Sequence, residues 1–189
     1  MSRRLDLEMV ERGLTPTRSK AQALIMAGVV LVDNHPVQKA GTPVSGESVI
    51  ALVEPPRFVS RGGEKLDHAL TEFGIDLGGA VCADFGASTG GFTDVMLQRG
   101  AATVFAIDVG YGQLALELRN DPRVVVMDRT NARHLESLPL PVTFTAIDAS
   151  FISLSKLFPA VNRVSAQEAD VVALIKPQFE AGKGEVGKN

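Results

Sequence analysis

The sequence predicts a small α+β domain followed by a larger α/β domain with a Rossmann-like parallel sheet whose last strands are missing. The larger part alternates strand-like and helix-like stretches, which indicates a parallel sheet covered by helices on both faces. A Pro-Pro pair at 55–56 and a Ser-Arg-Gly-Gly segment at 60–63 break the pattern. The charge balance also changes, from nine Lys and Arg against seven Asp and Glu in 1–66 to ten against fifteen in 67–189. The predicted parts are domains at 1–53 and 61–189 and a linker at 54–60.

The small domain is predicted to contain two helices followed by short strands. Leu5 and Met9 give the first helix an inward face, and Gly13 stops it. Thr17 can cap the second helix, and Gly28 lies just past its end. The predicted helices span 3–12 and 18–26, and the strands lie at 29–32, near 36–37 and at 48–53, with a turn at 41–46.

The larger domain is predicted from five apolar runs that alternate with amphipathic stretches. The run at 171–175 is continuous and apolar, which is typical of a central strand with a neighbour on each side. The predicted strands are 81–85, 103–108, 124–127, 143–148 and 170–176, and the predicted helices are 65–73, 91–99, 113–119 and 153–164.

Composition excludes several classes of protein. Hydrophobic residues make up 45% of the chain and charged residues 22%, which is typical of a globular protein. No apolar stretch approaches the roughly 18 residues of a membrane-spanning helix, and the first residues lack the apolar core of a secretory signal. The single cysteine, Cys82, excludes a disulfide framework and a multi-cysteine zinc cluster. We therefore predict a cytoplasmic protein with no bound metal and no membrane partner.

A glycine-rich segment at 84–92 follows the first strand of the larger domain and opens a helix, where open α/β sheets bind nucleotides. Its spacing is Gly-x-x-x-Gly-Gly, which differs from the Gly-x-Gly-x-x-Gly of pyrophosphate-binding loops. Asp84 would be unfavourable beside a pyrophosphate but suits an ammonium or sulfonium group. The alternative interpretation is a glycine-rich turn without a ligand.

Two further acids end the next strands. Asp108 lies about twenty residues on, where a carboxylate can take both ribose hydroxyls of an adenosine, although it could instead be a helix cap. Asp128 ends the third strand, where it could bind an adenine amino group or serve only as a turn residue. Together with Asp84 these acids favour S-adenosylmethionine over a dinucleotide.

Lys65, Asp148 and Lys176 form a third group of candidate functional residues. Asp148 and Lys176 end neighbouring strands, so both are predicted at the carboxyl edge of the sheet, and a helix could carry Lys65 to the same edge. Two close lysines favour the neutral form of one of them, which could then take the proton of a ribose hydroxyl. From the residues alone, solvated lysines and a capping aspartate remain the simpler interpretation.

Four segments, at 57–66, 84–94, 148–154 and 175–180, together resemble the TlyA (hemolysin A) family of ribosomal RNA 2′-O-methyltransferases, which have an FtsJ-type catalytic domain. The first 53 residues are similar to the small RNA-binding domain named after ribosomal small-subunit protein four. The resemblance covers the whole chain in the family's own order.

The resemblance implies roles for the residues above. Lys65, Asp148 and Lys176 would be three members of a Lys-Asp-Lys-Glu tetrad, whose fourth member lies in a later strand; Glu180 does not occupy its motif. Because the family has seven strands and only five are predicted, we expect a truncated chain. The donor-binding residues would be Asp84, Gly86, Ser88, Gly90, Asp108 and Asp128, and the residues that contact RNA phosphates would be Arg3, Arg18 and Lys20.

The expected function is S-adenosylmethionine-dependent methylation of a ribose 2′-hydroxyl, of cytidine by the family's pattern, on ribosomal RNA or ribosomal subunits. One alternative is an RNA-binding protein whose methyltransferase domain is catalytically silent. A second is a haemolysin, which would require an amphipathic or apolar membrane segment that the sequence does not contain. A third is a nucleotide-dependent oxidoreductase, which the glycine spacing and Asp84 disfavour.

Overall fold

Spatial contacts between Cα atoms group the chain into two compact units, Met1–Arg57 and Phe58–Asn189. The computed structural model describes residues 2–54 and 56–181. The first unit has one buried apolar cluster, and the second has two, one on each face of its sheet. Each unit is therefore a domain with an interior of its own.

The first unit packs two helices on two small antiparallel sheets. One sheet pairs β1 with β4, and the other has the strand order β3-β2-β5. Leu5, Met9, Ile25 and Val30 are buried in its core. The elements are β1 (Ser2–Arg4), α1 (Leu5–Glu11), α2 (Arg18–Met26), β2 (Val30–Val32), β3 (His35–Pro36), β4 (Pro43–Ser45) and β5 (Ile50–Leu52).

The pairing of β1 with β4 corrects two predictions. Residue 3 begins no helix but pairs with Val44, and 43–45 form a strand where a turn is predicted. Three exposed polar residues carry no strand pattern, so only the distant partner strand makes 2–4 extended.

Asp6 is a buried carboxylate that ties the two helices of the first unit together. It pairs with Arg4 at 3.0 Å and with Arg18 at 2.9 Å, and it accepts a hydrogen bond of 2.8 Å from Gln22. The hydrogen bond from Arg4, followed by those from Gln22 and Arg18, outweighs burial and holds the pKa of Asp6 far below its ordinary value.

The second unit is an α/β domain with one five-stranded parallel sheet in the order β10-β9-β6-β7-β8. The chain passes from β6 to β7 and β8 on one side, then returns to place β9 on the other side of β6. Ligands of open α/β sheets bind where the order reverses in this way. The elements are α3 (Gly62–Phe73), β6 (Val81–Phe85), α4 (Gly91–Gln98), β7 (Thr103–Ile107), α5 (Leu116–Arg119), β8 (Val124–Met127), β9 (Val142–Ile147), α6 (Phe158–Val164), β10 (Ser165–Ala173) and α7 (Pro177–Glu180).

The predicted α/β class and its parallel strands are confirmed, with local differences. The predicted helix at 153–164 is split into a 3-10 turn, Leu154–Lys156, and α6, because Pro159 lies in the first turn of α6 and suits a helix start. Within residues 56–181, β10 pairs with β9 alone, so the predicted central strand is an edge strand here, and Val171 is 42% exposed. None of the described helices is both long and apolar enough to cross a membrane.

Candidate active site

The loop between β6 and α4 packs closely against the end of β9. Gly86 has φ +94°, and a Cβ there would lie 2.8 Å from the backbone oxygen of Asp148. Ser88 also has a positive φ, +47°, and its backbone N–H donates to Asp108 Oδ2 at 2.8 Å. The loop therefore connects the carboxyl ends of three neighbouring strands, β6, β7 and β9.

Gly90 is a packing position and does not line either of the two cavities at this edge of the sheet. Its φ is +99°, and a Cβ there would collide with Leu118 and lie 2.7 Å from Leu114 Cδ1. The absence of a side chain at Gly90 makes room for the two leucines, and its predicted contact with a methyl donor stays a prediction.

Asp84 is likewise absent from the walls of the two cavities, since it is buried beneath the loop. Its Oδ2 accepts hydrogen bonds from Thr93 N at 2.9 Å and Thr93 Oγ1 at 2.7 Å, and Oδ1 has no partner in the described part of the chain. Burial raises the pKa of Asp84 to about 7, against the opposing effect of Thr93. The structure thus gives Asp84 a contact to the start of α4, and its predicted contact with a ligand cation stays a prediction.

We expect Asp84 to make the second unit less stable as pH rises from about 4 to about 7. Its pKa rises from 3.8 to about 7 on folding, so in this interval the folded state holds a proton that the unfolded state has released. The free energy of unfolding then falls with rising pH, by at most ~1.4 kcal/mol per pH unit. The contribution is complete below the unfolded pKa and is lost as pH passes the folded one.

Asp84→Asn, which does not titrate, should flatten this dependence. Urea unfolding of both chains across this pH range measures it, with Asp76→Asn, at an exposed carboxylate, as the control. Equal slopes for wild type and Asp84→Asn would contradict the expectation.

Asp108 lies at the wall of a cavity of about 360 Å³. Its Oδ1 accepts a hydrogen bond from Gly110 N at 2.7 Å, so the two backbone N–H groups of Gly110 and Ser88 fix the carboxylate. Ile107 and Leu157 give the cavity an apolar part. Sequence reasoning missed three residues of the wall, Thr130, Asn131 and Ala132, because nothing in their types distinguishes them from an ordinary loop.

Asp128 does not line this cavity. Its Oδ2 pairs with Arg119 at 2.8 Å and accepts a weaker hydrogen bond from Gly112 N at 3.3 Å. The hydrogen bond from Arg119 lowers the pKa of Asp128. The structure thus gives Asp128 partners within the protein, and its predicted contact with an adenine amino group stays a prediction.

A second cavity, of about 570 Å³, lies on the other side of the loop. Lys65, in the first turn of α3, lines it together with Asp148 and Arg61. Gly86, Ser88 and Asp148 line both cavities, so the two meet at these residues. The position of α3 depends on Gly91, where a Cβ would collide with Ser60 Oγ and lie 2.9 Å from Gly63 N.

Lys176 completes the group around Asp148. Its Nζ lies 2.5 Å from Asp148 Oδ1 and donates a hydrogen bond of 2.9 Å to Ser150 Oγ. The structure therefore joins Asp148 to Lys176 by an ion pair and to Lys65 by a shared cavity. No group of three or more His, Cys, Asp or Glu that could hold a metal ion occurs within 2–54 and 56–181.

Comparison with known proteins assigns the family. The model for the FtsJ-like methyltransferase family matches residues 58–189, and the S4 domain model matches residues 3–50. The chain is 52% identical, over 97% of its length and 70% of the relative's, to the 16S/23S rRNA (cytidine-2′-O)-methyltransferase TlyA of Mycobacterium tuberculosis. The chain belongs to the TlyA family of FtsJ-like methyltransferases.

Other members of the TlyA family carry a different name. Hemolysin A of Brachyspira hyodysenteriae is 42% identical over 98% of this chain and 78% of its own length. A solved structure named "Putative hemolysin from Streptococcus thermophilus" has a TM-score of 0.70 and 42% identity, covering 98% of this chain and 70% of that one.

The S4 domain of this TlyA-family chain carries the three predicted RNA contacts on exposed positions. Arg3 pairs with Glu11 and Arg18 pairs with Asp6, so both have partners within the domain. Lys20 has no ion-pair partner among the described residues. Its backbone N–H donates to the capping Thr17 Oγ1 at 3.2 Å, which places it in the first turn of α2.

Proposed function

We propose that this chain is an S-adenosylmethionine-dependent methyltransferase that modifies the ribose 2′-hydroxyl of a cytidine in ribosomal RNA. The observation that carries the proposal is the meeting of two cavities at Asp148. One cavity has the Asp108 carboxylate on its wall, and the other has Lys65. Two ligands bound there would approach each other beside the Asp148–Lys176 pair.

The smaller cavity fits the donor. Its volume of about 360 Å³ lies within the usual range for small-molecule sites. Asp108 would accept from the ribose hydroxyls, and the apolar wall at Ile107 and Leu157 would contact the adenine. The close approach of Gly86 to β9 leaves a backbone cradle without a side chain. S-adenosylmethionine supplies an electrophilic methyl group when bound.

The lysines act on the acceptor. A 2′-hydroxyl becomes a better nucleophile when a base takes its proton, and Lys65 and Lys176 are the two candidate bases. Asp148 and Ser150 hold the Lys176 nitrogen from two directions. As an ammonium group Lys176 would orient the hydroxyl, and it would act as the base only after losing a proton. Positioning of the hydroxyl supplies a further part of the rate.

The S4 domain supplies affinity for the RNA backbone. Lys20 and Arg18 lie in the first turn of α2, where helix N–H groups also favour phosphate. Ribosomal RNA and ribosomal subunits are substrates found in the cytoplasm, which is the compartment we propose for this protein.

Methyl transfer to ribosomal subunits tests the proposal. We expect labelled methyl groups from S-adenosylmethionine to appear as 2′-O-methylcytidine, and calorimetry to show binding of S-adenosylmethionine but not of NAD, the control. Binding of NAD instead would contradict the donor assignment. RNA binding without transfer would identify a catalytically silent RNA-binding protein.

A further inference from the structure

One carboxylate joins two loops beside the cavities, and the mechanism above does not use it. The first loop, 148–153, follows β9 and leads into the 3-10 turn Leu154–Lys156; the second follows β10 and ends in α7. Glu180, the last residue of α7, accepts one hydrogen bond from Ser153 Oγ and another from Leu154 N, both 2.8 Å long. Its two oxygens are used separately, Oε2 by the hydroxyl and Oε1 by the amide.

The first loop is strained and exposed between its two ends. Phe151 has φ +65° although it is not glycine, and its side chain is 90% exposed. That backbone conformation is unfavourable for a residue with a Cβ, so contacts elsewhere must hold the loop in place. Phe179 provides one, with its ring centroid 5.3 Å from that of Phe151.

Ala149, Ile152 and Leu154 pack against a buried apolar cluster, and the polar contacts lie at the two ends of the loop. At its start, Lys176 holds Asp148 and Ser150; at its end, Glu180 holds Ser153 and Leu154. Both holding residues belong to the same short segment, 176–180. The two loops therefore form a closed ring of contacts, with the ion pair at one end and Glu180 at the other.

We infer that Glu180 is a positioning residue for methyl transfer: by closing the far end of this ring, it fixes the loop that carries Asp148 and so the geometry of the Asp148–Lys176 pair. The inference rests on the proposed function of that pair. Without Glu180, the far end of the loop would lose two hydrogen bonds and keep the apolar contacts of Ile152 and Leu154, so it would sample more conformations. Catalytic groups displaced by about 1 Å can lose about a hundredfold in rate.

The test compares wild type with Glu180→Ala and Glu180→Gln. We expect Glu180→Ala to lower kcat on ribosomal subunits about 10- to 100-fold while the KM for S-adenosylmethionine and the melting temperature stay close to wild type. The Leu154 amide loses its acceptor, so hydrogen–deuterium exchange over 150–156 should become faster. Glu180→Gln keeps one acceptor oxygen and should be intermediate. Glu168→Ala, at an exposed acid of β10, removes the same charge and should change nothing.

Faster exchange with an unchanged kcat would overturn the inference, and so would a fall in kcat matched by losses of melting temperature and donor binding. Unchanged exchange in Glu180→Ala would show that Glu180 does not hold the loop. A wild-type chain that transfers no methyl group would contradict the proposed function instead, and the exchange rates would still decide whether Glu180 closes the ring.

Discussion

Lys176→Ala is expected to lower kcat for methyl transfer by about a thousandfold while the Kd for S-adenosylmethionine changes less than about twofold. The general contribution of a positioned acid or base is roughly 10²–10⁴-fold. Lys176 Nζ contacts Asp148 and Ser150 at the meeting point of the cavities, and it does not line the cavity assigned to the donor. Loss of the Lys176 side chain should therefore slow methyl transfer and leave the binding of S-adenosylmethionine intact.

Single-turnover transfer and calorimetry on the same preparation measure the two quantities. Lys156→Ala is the matched control, because Lys156 is an exposed lysine of the same unit in the neighbouring 3-10 turn. If donor binding fell together with transfer, Lys176 would belong to the donor site, and its role as base or orienting group would be wrong.

Gly86→Ala is expected to lower the free energy of unfolding by about 2–4 kcal/mol and to abolish donor binding. Two costs add at this position. The φ of +94° is one that an L side chain rarely adopts, and the new Cβ would lie 2.8 Å from a backbone oxygen of Asp148, which cannot rotate away. Relief would require the loop to move from the end of β9, where both cavities meet.

Gly74→Ala separates these two costs. Gly74 ends α3 with φ +67°, and a Cβ there would have nothing within 4 Å, so this variant has only the backbone strain, about 1 kcal/mol. Urea unfolding of both variants gives the comparison. Equal losses of stability would show that the close approach at Gly86 contributes nothing, and retained donor binding would contradict its place in the site.

The parallel sheet could be predicted because the apolar pattern that indicates each strand lies within that strand. Each of β6, β7 and β8 is a short run of mostly apolar residues that ends at a polar residue or a turn, and such a run is recognised without reference to the neighbouring strands. The pairing of β1 with β4 could not be predicted, since polar residues at 2–4 become a strand only when 43–45 lie beside them. The early start of β10 at Ser165 has the same cause, because β9 extends it beyond its apolar part.

In the candidate site, the positions of the residues could be predicted from the sequence, but the orientation of their side chains could not. Asp108, Asp148 and Lys176 could be placed at one edge because parallel strands bring their carboxyl ends together. Orientation could not be predicted: Asp128 turns to Arg119, and Asp84 turns inward to Thr93. Both outcomes depend on a partner donor that sequence spacing does not reveal.

The internal pairing of arginines in the S4 domain has a consequence for how ionic strength affects RNA binding. Arg3, Arg4, Arg12 and Arg18 each have a carboxylate partner within the domain. A cation already neutralised in this way displaces fewer counterions from a phosphate backbone than a free one. The S4 domain of this chain should therefore bind RNA with a shallow dependence on salt, and recognition should depend more on shape than on accumulated charge.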